Sequence, residues 1–393
     1  MKIVLINTLY HPNMVGGAEK STQFLAEALQ VAGHEVVVIT AEQSIGIRTD
    51  TVGGVKVYYI GIKNIYWPYP SKTYLILKLF WHIIDTYNPF MASEIEKILL
   101  QEQPDIVHTS NLACFSVAVW HKVKKHHLPL VHTIRDHYLS CPRSTMFKNG
   151  HNCKTQCMEC RIFAYIRKYF SRYVDSVVGI SKYILDKHIS MGYFTQAYTE
   201  VIHNSLEQET ECIENVVKND EEIIFGYFGR LDSLKGVELL VDTFNKMGNS
   251  RWRLKIAGTG HNKYIEKLKL GSRMEIEYIG FLNPEDFYPQ IDVLIVPSLW
   301  NEPLGRIVFE AYSYGIPVIG SNRGGIPEII EHGRTGFIFE PDNEYELLDL
   351  INGLLDNPSC IKTFKSRCLE KAKEFLPERI IQKYIKIYEQ LLE

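Results

Sequence analysis

Two glutamates, Glu302 and Glu310, bracket a glycine-containing turn in the second half of the chain. The preceding segment 292–298 is a short apolar run that stops at Pro-Ser, which is typical of a buried parallel strand. Pro303 and Gly305 then lead into apolar residues at helical spacing, so a helix is predicted to start here. Amides at a helix start favour a diphosphate, and a carboxylate further along can accept hydrogen bonds from sugar hydroxyls. The glutamate pair therefore predicts a binding site for a nucleotide sugar.

Glycines and cations stand at the ends of other predicted strands. Near the amino end, Gly16 and Gly17 open a helix, and a residue without a side chain lets the backbone approach a phosphate closely. Arg230 and Lys235 follow the first strand of the second half. Two positive charges there suit the two phosphates of a diphosphate.

In this order and spacing the motifs resemble those of glycosyltransferase family 4, over nearly the whole chain. The stretch from Glu302 to Glu310 resembles the Glu-x7-Glu signature of retaining enzymes. The resemblance implies an α/β protein of the GT-B fold: two facing Rossmann-like domains, a donor/acceptor cleft between them, and a C-terminal helix that crosses back. Gly258 and Phe281 fall where the strand ends of the family line the nucleobase.

The resemblance also implies roles for the site residues. Arg230 and Lys235 would hold the donor diphosphate. Glu302 would orient the sugar ring, and Glu310 would bind the ribose hydroxyls. The family retains the anomeric configuration by front-face attack, so no residue is assigned as a covalent nucleophile.

The sequence contains no Asp-x-Asp pair, the metal clamp that other glycosyltransferases use on the diphosphate. The two cations and the backbone amides of Leu304, Gly305 and Arg306 are expected to replace it, because positioned dipoles stabilise charge on the leaving group. We therefore expect no catalytic metal and a donor that carries UDP or GDP.

The chain departs from the family at 133–136, where Thr-Ile-Arg-Asp stands in place of Thr-Leu-His-Asp. Arg135 thus replaces the histidine that contacts the sugar. It either binds a donor or acceptor phosphate or pairs with Asp136, and His137 is one place too late to match. Arg135 and Asp136 are still predicted at the reacting centre. Asn204 falls where the family has Pro-Asn-Gly, and it is either a ligand contact or a turn residue.

Strand and helix patterns alternate in two arrays, with seven predicted strands over 3–202 and six over 223–339. The acidic stretch 207–222 lacks apolar periodicity, so it is interpreted as a linker. The predicted parts are an acceptor-binding domain at 1–205, a nucleotide-sugar-binding domain at 206–375 and a crossover helix at 376–393.

Composition agrees with such an enzyme, because 393 residues with 46% apolar content can bury two cores. Neither a secretory signal nor a membrane span is recognised, so a cytoplasmic location is expected, including the inner face of the membrane. Residues 1–200 carry 21 Lys and Arg against 15 Asp and Glu, whereas 201–393 carry 22 against 31. The basic half suits an anionic acceptor or a membrane surface, or it is an accident of surface composition. No nucleic-acid partner is expected.

Four of the eight cysteines cluster within twenty residues, at Cys141, Cys153, Cys157 and Cys160. Disulfides are disfavoured in a reducing cytosol, and four thiolates could surround a tetrahedral zinc ion. The cluster is either such a site or a loop of reduced thiols. We predict one structural zinc.

The aromatic run 66–70 and the apolar helix predicted over 74–84 have two interpretations. Exposed, they could rest at a membrane interface and reach an acceptor linked to undecaprenyl diphosphate. Buried, they are ordinary core, and this is the outcome we expect.

The predicted function is transfer of a sugar from a nucleotide-diphosphate sugar to a glycan or lipid-linked acceptor, in capsule, O-antigen or exopolysaccharide biosynthesis. A GT-B nucleotide-sugar epimerase is one alternative, although the Glu-x7-Glu signature argues against it. A non-catalytic sugar-nucleotide-binding protein is the other, because Arg135 replaces the family histidine. The sequence does not reveal the sugar, the nucleobase, the linkage or the oligomeric state.

Overall fold

The structure is a computed structural model that describes residues 1–13, 16–69, 74–207, 222–248, 251–343 and 345–393. The chain forms two compact units. Unit 1 consists of Met1–Met146, Cys153–Glu207 and Pro377–Glu393, and unit 2 consists of Phe147–Asn152 and Gln208–Leu376. The predicted linker at 207–222 lies outside the described residues except for its two ends.

Strands and helices alternate along most of the described chain. The strands are β1 Lys2–Ile6, β2 Glu35–Glu42, β3 Ile47–Val52, β4 Val55–Gly61, β5 Ile106–Thr109, β6 Leu130–Ile134, β7 Phe147–Lys148, β8 His151–Asn152, β9 Ser176–Gly179, β10 Tyr198–Val201, β11 Ile223–Phe228, β12 Trp252–Ala257, β13 Ile276–Gly280, β14 Val293–Val296, β15 Val318–Ser321 and β16 Gly336–Phe339. The helices are α1 Gly17–Val31, α2 Leu75–Thr86, α3 Pro89–Glu102, α4 Ala118–Lys125, α5 Met158–Phe170, α6 Lys182–Ser190, α7 Val237–Asn245, α8 Asn262–Leu270, α9 Pro284–Phe287, α10 Arg306–Ser313, α11 Ile326–Ile329, α12 Glu346–Asp356, α13 Ser359–Ala372 and α14 Pro377–Leu392.

Unit 1 is built on an eight-stranded sheet in the order β10-β9-β6-β5-β1-β2-β4-β3. All neighbours pair in parallel except β3, which pairs antiparallel with β4 at the edge. Strands β5, β6 and β9 are buried throughout, as expected for parallel strands covered on both faces. Strand order reverses between β1 and β5, and such a switch point opens a crevice at the carboxyl ends of the strands.

The last helix, α14, completes the core of unit 1 although it comes from the far end of the chain. Its apolar face includes Ile381, Tyr384 and Tyr388, which join one buried cluster with residues of β1, β2 and α1. His108 of β5 binds this helix, because its Nδ1 lies 2.7 Å from the hydroxyl of Tyr388. Its Nε2 lies 2.8 Å from Thr133 Oγ1.

A buried ion pair joins α2 to α5 inside unit 1. Asp85 Oδ2 lies 3.2 Å from Arg167 Nη2, and both side chains are fully buried. Asp85 also accepts hydrogen bonds from Cys114 N (2.6 Å) and the hydroxyl of Tyr138 (2.8 Å). Burial raises the pKa of Asp85 to about 6, against the opposing charge of Arg167. Removal of either partner would leave an uncompensated buried charge, so the pair locks the two helices together.

The outer side of α2 is exposed, so the prediction that this apolar helix is core is wrong for its first turns. Leu75, Ile76 and Phe80 are 85%, 62% and 50% exposed, whereas Trp81 and Asp85 are buried. The second half of α2 therefore packs into unit 1, whereas the first half exposes apolar side chains to solvent.

Unit 2 contains a fully parallel six-stranded sheet in the order β13-β12-β11-β14-β15-β16. This is the doubly wound order of a Rossmann fold, with its switch point between β11 and β14. The core side chains come from β11, β12, α7 and α12 among others, and they include Phe225, Phe244, Trp252 and Ile351. The loops that follow β11 and β14 consequently meet at the crevice.

The thirteen strands predicted from the sequence all occur, and their ends agree with the predicted ones to within two residues. Among the described residues, the strands that were not predicted are β3 and the two of the β7–β8 hairpin. Five of the six β3 residues are exposed, so this strand lacks the apolar run or alternation that marks a buried strand.

We expect the packing of α14 to weaken in acid through His108. Burial, helped by the charge of Arg135, lowers the pKa of His108 to about 3. A histidine whose pKa is lower in the folded than in the unfolded protein stabilises the folded state at pH values above the unfolded pKa, which is near 6.5. This stability is lost as the pH falls toward 3. Glutamine cannot ionise. Between pH 7 and 4.5, the free energy of unfolding should therefore fall by about 2 to 3 kcal/mol less in the His108→Gln variant than in the wild type.

Denaturant unfolding at the two pH values measures this difference. The matched control for the exchange of histidine for glutamine is His121→Gln at an exposed position, measured at the same two pH values. Equal pH dependence in wild type and His108→Gln would contradict the prediction.

Candidate functional site

Glu302 and Lys235 form an ion pair in unit 2. Lys235 Nζ lies 2.5 Å from Glu302 Oε1, which also accepts a hydrogen bond from Ser298 Oγ at 2.7 Å. Glu302 is only 8% exposed. Burial alone would raise the pKa of Glu302, but the Lys235 ammonium and its hydrogen bonds hold that pKa below its usual value. The carboxylate is therefore ionised, and it fixes the position of the ammonium.

The ion pair lies at the switch point of the unit 2 sheet. Lys235 belongs to the loop after β11, and Glu302 belongs to the loop after β14. These strands are paired neighbours from which the chain continues in opposite directions across the sheet. A crevice at this position is where α/β sheets bind their ligands.

Asp232 organises the cationic side of this crevice. Its side chain caps the turn Ser233–Lys235 by accepting from the backbone N–H of Lys235 at 3.2 Å, and it also pairs with Arg230. The Arg230 side chain is 65% exposed. One carboxylate thus holds both predicted diphosphate ligands on the same loop, and Arg230 is open to solvent.

Glycine at position 324 lets the loop after β15 pass against the backbone of Glu302. Gly324 has φ +60°, and a Cβ there would lie 2.0 Å from the carbonyl oxygen of Glu302. The next residue, Gly325, donates its N–H to that same oxygen at 2.8 Å. The Glu302 backbone is therefore gripped from the neighbouring loop, and only glycine fits the contact.

Asn152, which the sequence analysis missed, holds the other side of the same loop. Its side chain donates to the carbonyl of Leu299 and accepts from the N–H of Asn301, both at 2.7 Å. Asn152 lies in the β7–β8 hairpin, which belongs to unit 2. The recognisable signal was Asn149-Gly150, a pair that favours the positive φ angles found at this turn.

The signature helix α10 begins at Arg306, after Gly305 in a left-handed conformation with φ +90°. Arg306 Nε lies 2.5 Å from Glu310 Oε1, one turn along the helix, and both side chains are partly exposed. Leu304 is buried as a whole residue, so the role of its backbone amide toward a ligand stays a prediction. Each of the two signature glutamates is therefore in an ion pair, Glu302 with Lys235 and Glu310 with Arg306.

The remaining predicted positions of unit 2 follow the neighbouring strands. Gly258, after β12, has φ +141°, and a Cβ there would lie 1.8 Å from the carbonyl oxygen of Gly229. This close approach joins the loops after β12 and β11, which also share a hydrogen bond from Leu231 N to Thr259 O at 2.8 Å. Phe281, after β13, is 72% exposed.

In unit 1, Arg135 and Asn204 meet. Arg135 Nη1 donates to Asn204 Oδ1 at 2.6 Å, and Arg135 Nε lies 3.4 Å from Ser110 Oγ. The guanidinium lines a small pocket together with residues of α1 and α14, among them Phe24 and Tyr384. Arg135 is thus a buried cation, 7% exposed, at the wall of a pocket.

The two residues that follow Arg135 in the sequence do not share its pocket. Asp136 accepts from the N–H of Tyr138 at 2.7 Å, and burial raises its pKa to about 6. His137 is fully buried and stacks on His188 with ring centroids 5.7 Å apart. Burial holds the pKa of His137 well below its usual value, so the ring is neutral core.

Gly16 and Gly17 lie at the start of α1, as the predicted Gly-rich loop requires. Gly16 is the residue before the helix, and its N–H donates to Glu19 Oε2 at 2.9 Å. Glu19 itself is almost fully buried. The helix start is thereby capped from inside, and the role of Gly17 toward a phosphate stays a prediction.

The predicted zinc site is not formed. In the parts of the chain that the structure describes, no three His, Cys, Asp or Glu side chains are grouped so that they could hold a metal ion. Cys157 and Cys160 lie 3.4 Å apart, and Cys141 is also near Cys160. Burial, with the neighbouring thiols, raises the pKa of Cys160, which favours the protonated thiol. The reduced-thiol alternative is the one the structure supports, and the zinc prediction at Cys141, Cys153, Cys157 and Cys160 is corrected.

Two family models match consecutive parts of the chain. The model described as Glycosyltransferase Family 4 matches residues 15–209, and the model described as Glycosyl transferases group 1 matches residues 208–375. The chain belongs to glycosyltransferase family 4. This assignment makes it a transferase, and so the alternatives of a non-catalytic binder and an epimerase are not favoured.

Relatives and solved structures agree with the assignment. An uncharacterised protein from the cps region of Klebsiella pneumoniae is 36% identical over 84% of this chain and 87% of its own length. Sucrose-phosphate synthase from Thermosynechococcus elongatus superposes with a TM-score of 0.75 at 19% identity, over 99% of this chain and 98% of that chain. HepE from Anabaena, solved with UDP and glucose, has a TM-score of 0.70 at 18% identity, over 99% and 100% of the two chains.

The structural matches confirm the predicted GT-B fold, with two Rossmann-like sheets and a C-terminal helix. They extend over the glycosyltransferase from end to end. Because the sequence identities to these solved structures are below 20%, the matches show the fold alone, and the roles of individual site residues stay predictions.

The Gly324→Ala substitution should destabilise the glycosyltransferase by about 2 to 3 kcal/mol, because the left-handed backbone is strained for alanine and the new Cβ meets the Glu302 carbonyl. The matched control is Gly353→Ala in α12. Nothing lies within 4 Å of a Cβ at Gly353, so alanine should stabilise the helix by about 0.5 to 1 kcal/mol. Denaturant unfolding measures whether Gly324→Ala is less stable and Gly353→Ala more stable than the wild type. A Gly324→Ala protein as stable as the wild type would refute the close contact between residue 324 and the Glu302 carbonyl.

Proposed function

We propose that this glycosyltransferase moves a sugar from a UDP-linked donor to a glycan or lipid-linked acceptor in polysaccharide biosynthesis, with retention of configuration. The observation that carries the proposal is the Lys235–Glu302 pair at the switch point of unit 2. The fixed ammonium, with Arg230 on the same loop, supports a diphosphate site here, because α/β sheets bind their ligands at such a switch point. The Klebsiella relative from a cps region supports a capsule or related polysaccharide as the product.

The donor is assigned by fold and charge together. HepE, which shares the fold over its whole length, was solved with UDP and glucose, and this supports UDP over the GDP alternative. Phe281, exposed after β13, offers a ring face for the base, and Gly258 lets the loops close without a side chain. Glu310 would bind the ribose hydroxyls after reorienting from Arg306.

Charge on the leaving diphosphate is the quantity that the site is built to stabilise. As the bond between the sugar and the phosphate oxygen breaks, negative charge grows on the diphosphate. Lys235 has N–H donors beyond the one used by Glu302, and Arg230 adds a planar fork of donors. Cations already held in place need no reorganisation, which is why they lower the barrier. We assign this task to these cations, without a divalent metal, because the sequence carries no Asp-x-Asp clamp.

Arg135 is proposed to act at the reacting centre in place of the family histidine. Its guanidinium is buried, oriented by Asn204 and Ser110, and directed at a pocket of unit 1. A guanidinium stays protonated at any working pH, so it can neutralise a phosphate but cannot serve as a base. Arg135 would therefore contribute charge stabilisation and orientation, with no proton transfer assigned to it.

The proposed reaction is tested by offering UDP-sugars singly with polysaccharide-repeat acceptors and following UDP release and the anomeric configuration of the product by NMR. A product with retained configuration from a UDP-sugar supports the proposal, and an inverted product would overturn the retaining assignment.

The Lys235→Ala variant should bind UDP more weakly than the wild type, as measured by calorimetry. The loss of binding free energy should be about 1.5 to 3 kcal/mol, the magnitude of a charge-assisted contact. The exposed Lys267→Ala is the matched control, and equal UDP affinity in both variants would sink the assignment of Lys235.

Replacement of Arg135 should lower turnover far more than UDP affinity, since the lost interaction belongs to the transition state. The Arg135→Ala and Arg135→Lys variants are compared by kcat and by UDP binding, with the exposed Arg143→Ala as control. We expect kcat of Arg135→Ala to fall by about 100-fold or more. A variant with wild-type kcat would show that Arg135 is structural.

A further inference from the structure

Helices α2 and α5 together present an exposed apolar face on unit 1. All of residues 74–80 are exposed, and Leu75 is 85% accessible. On α5 the exposed side chains repeat at intervals of three or four residues, so they share one side of that helix. They are Met158, Ile162, Tyr165, Ile166 and Tyr169.

The two helices form one surface because their inner sides are locked together. They pack against each other, with the ring of His82 on α2 5.9 Å from that of Phe163 on α5. The buried Asp85–Arg167 ion pair joins them below the surface. An exposed apolar face on such a fixed scaffold is unusual for a protein that stays dispersed in water, and it marks a docking surface.

Cations border this face. Arg161 and Lys168 are exposed and seven residues apart on α5, so they stand in line along one margin of the apolar stripe. Lys78 is exposed among the apolar residues of α2. None of these three has a carboxylate partner within the described ranges, so their charges are available to an anionic partner. Arg172 continues the line beyond α5, where its guanidinium lies 3.8 Å over the ring of Tyr169.

We propose that the α2–α5 face docks on an anionic lipid bilayer. The first half of α2 exposes apolar side chains in every direction around its axis, including Leu75, Ile76 and Leu79. A protein partner would cover only one side of such a helix, whereas lipid surrounds it. The tyrosines of α5 combine an apolar ring with a polar hydroxyl, which suits the headgroup level, and the cations meet the lipid phosphates.

This docking is interfacial. Among the described residues, no helix combines the length and apolar character needed to cross a bilayer. The α2 helix has 12 residues, well short of the roughly 20 that a span requires. The face therefore rests in the outer part of one leaflet, which would bring unit 1 to a lipid-linked acceptor.

The test measures binding of the full-length protein to vesicles without any substrate, so its outcome is independent of the proposed donor site. Sedimentation is compared between vesicles of phosphatidylethanolamine with phosphatidylglycerol and vesicles of phosphatidylcholine. The Leu75→Gln/Phe80→Gln variant should bind the anionic vesicles at least about tenfold more weakly. The matched control, Leu270→Gln/Met274→Gln, removes two apolar side chains of unit 2 that are more exposed than Leu75 and Phe80, and it should bind like the wild type.

A second variant tests the charges. Arg161→Gln/Lys168→Gln should lose about fivefold in affinity for each cation and should show a weaker dependence on salt. These positions are exposed, so unfolding curves like that of the wild type are expected. The proposal is overturned if the wild type ignores anionic vesicles or if the α2 variant binds as the wild type does. A dimer seen by light scattering, and dissolved by the α2 variant, would also overturn it by assigning the face to a second copy.

Discussion

The reversal of strand order at the centre of the unit 2 sheet is the constraint on which the candidate site depends. It brings the loops after β11 and β14 together, so Lys235 and Glu302 meet although they are far apart in sequence. A carboxylate as buried as Glu302 is costly without its partner. The surrounding loops then fix the pair, since Gly324 grips the Glu302 backbone and Asn152 holds the residues just before it.

Unit 1 follows the same sheet order but solves a different problem. Its interior contains a buried ion pair, Asp85–Arg167, which joins the surface helix α2 to α5. At its pocket wall, the buried Arg135 guanidinium has Asn204 and Ser110 as hydrogen-bond acceptors. Arg135 and Arg167 are the buried arginines among the described residues, and oxygen atoms accept from donors of each guanidinium. They belong to Asp85 and the Tyr138 carbonyl for Arg167, and to Asn204 and Ser110 for Arg135.

The sequence could predict whatever depends on local pattern. Strands buried on both faces read as apolar runs, so their approximate bounds could be predicted, as could Gly305 at the start of α10. The GT-B fold was implied by the resemblance of the motifs to glycosyltransferase family 4. Features set by tertiary packing could not be read. The exposure of α2 depends on which neighbours cover it, and the four cysteines have zinc-like spacing without the required grouping. The contact of Asn152 joins residues about 150 positions apart, which no local pattern encodes.

Neither unit is one continuous stretch of chain, because unit 1 takes its last helix from 377–393 and unit 2 takes a hairpin from 147–152. A ribosome therefore releases the final piece of the unit 1 core only after all of unit 2 has been synthesised. Until then the apolar surface that Tyr384 and Tyr388 fill is open, so the amino half waits in an incomplete state. Translation that stops early leaves a chain that cannot finish its first core, and such a product is marked for quality control by its own exposed interior.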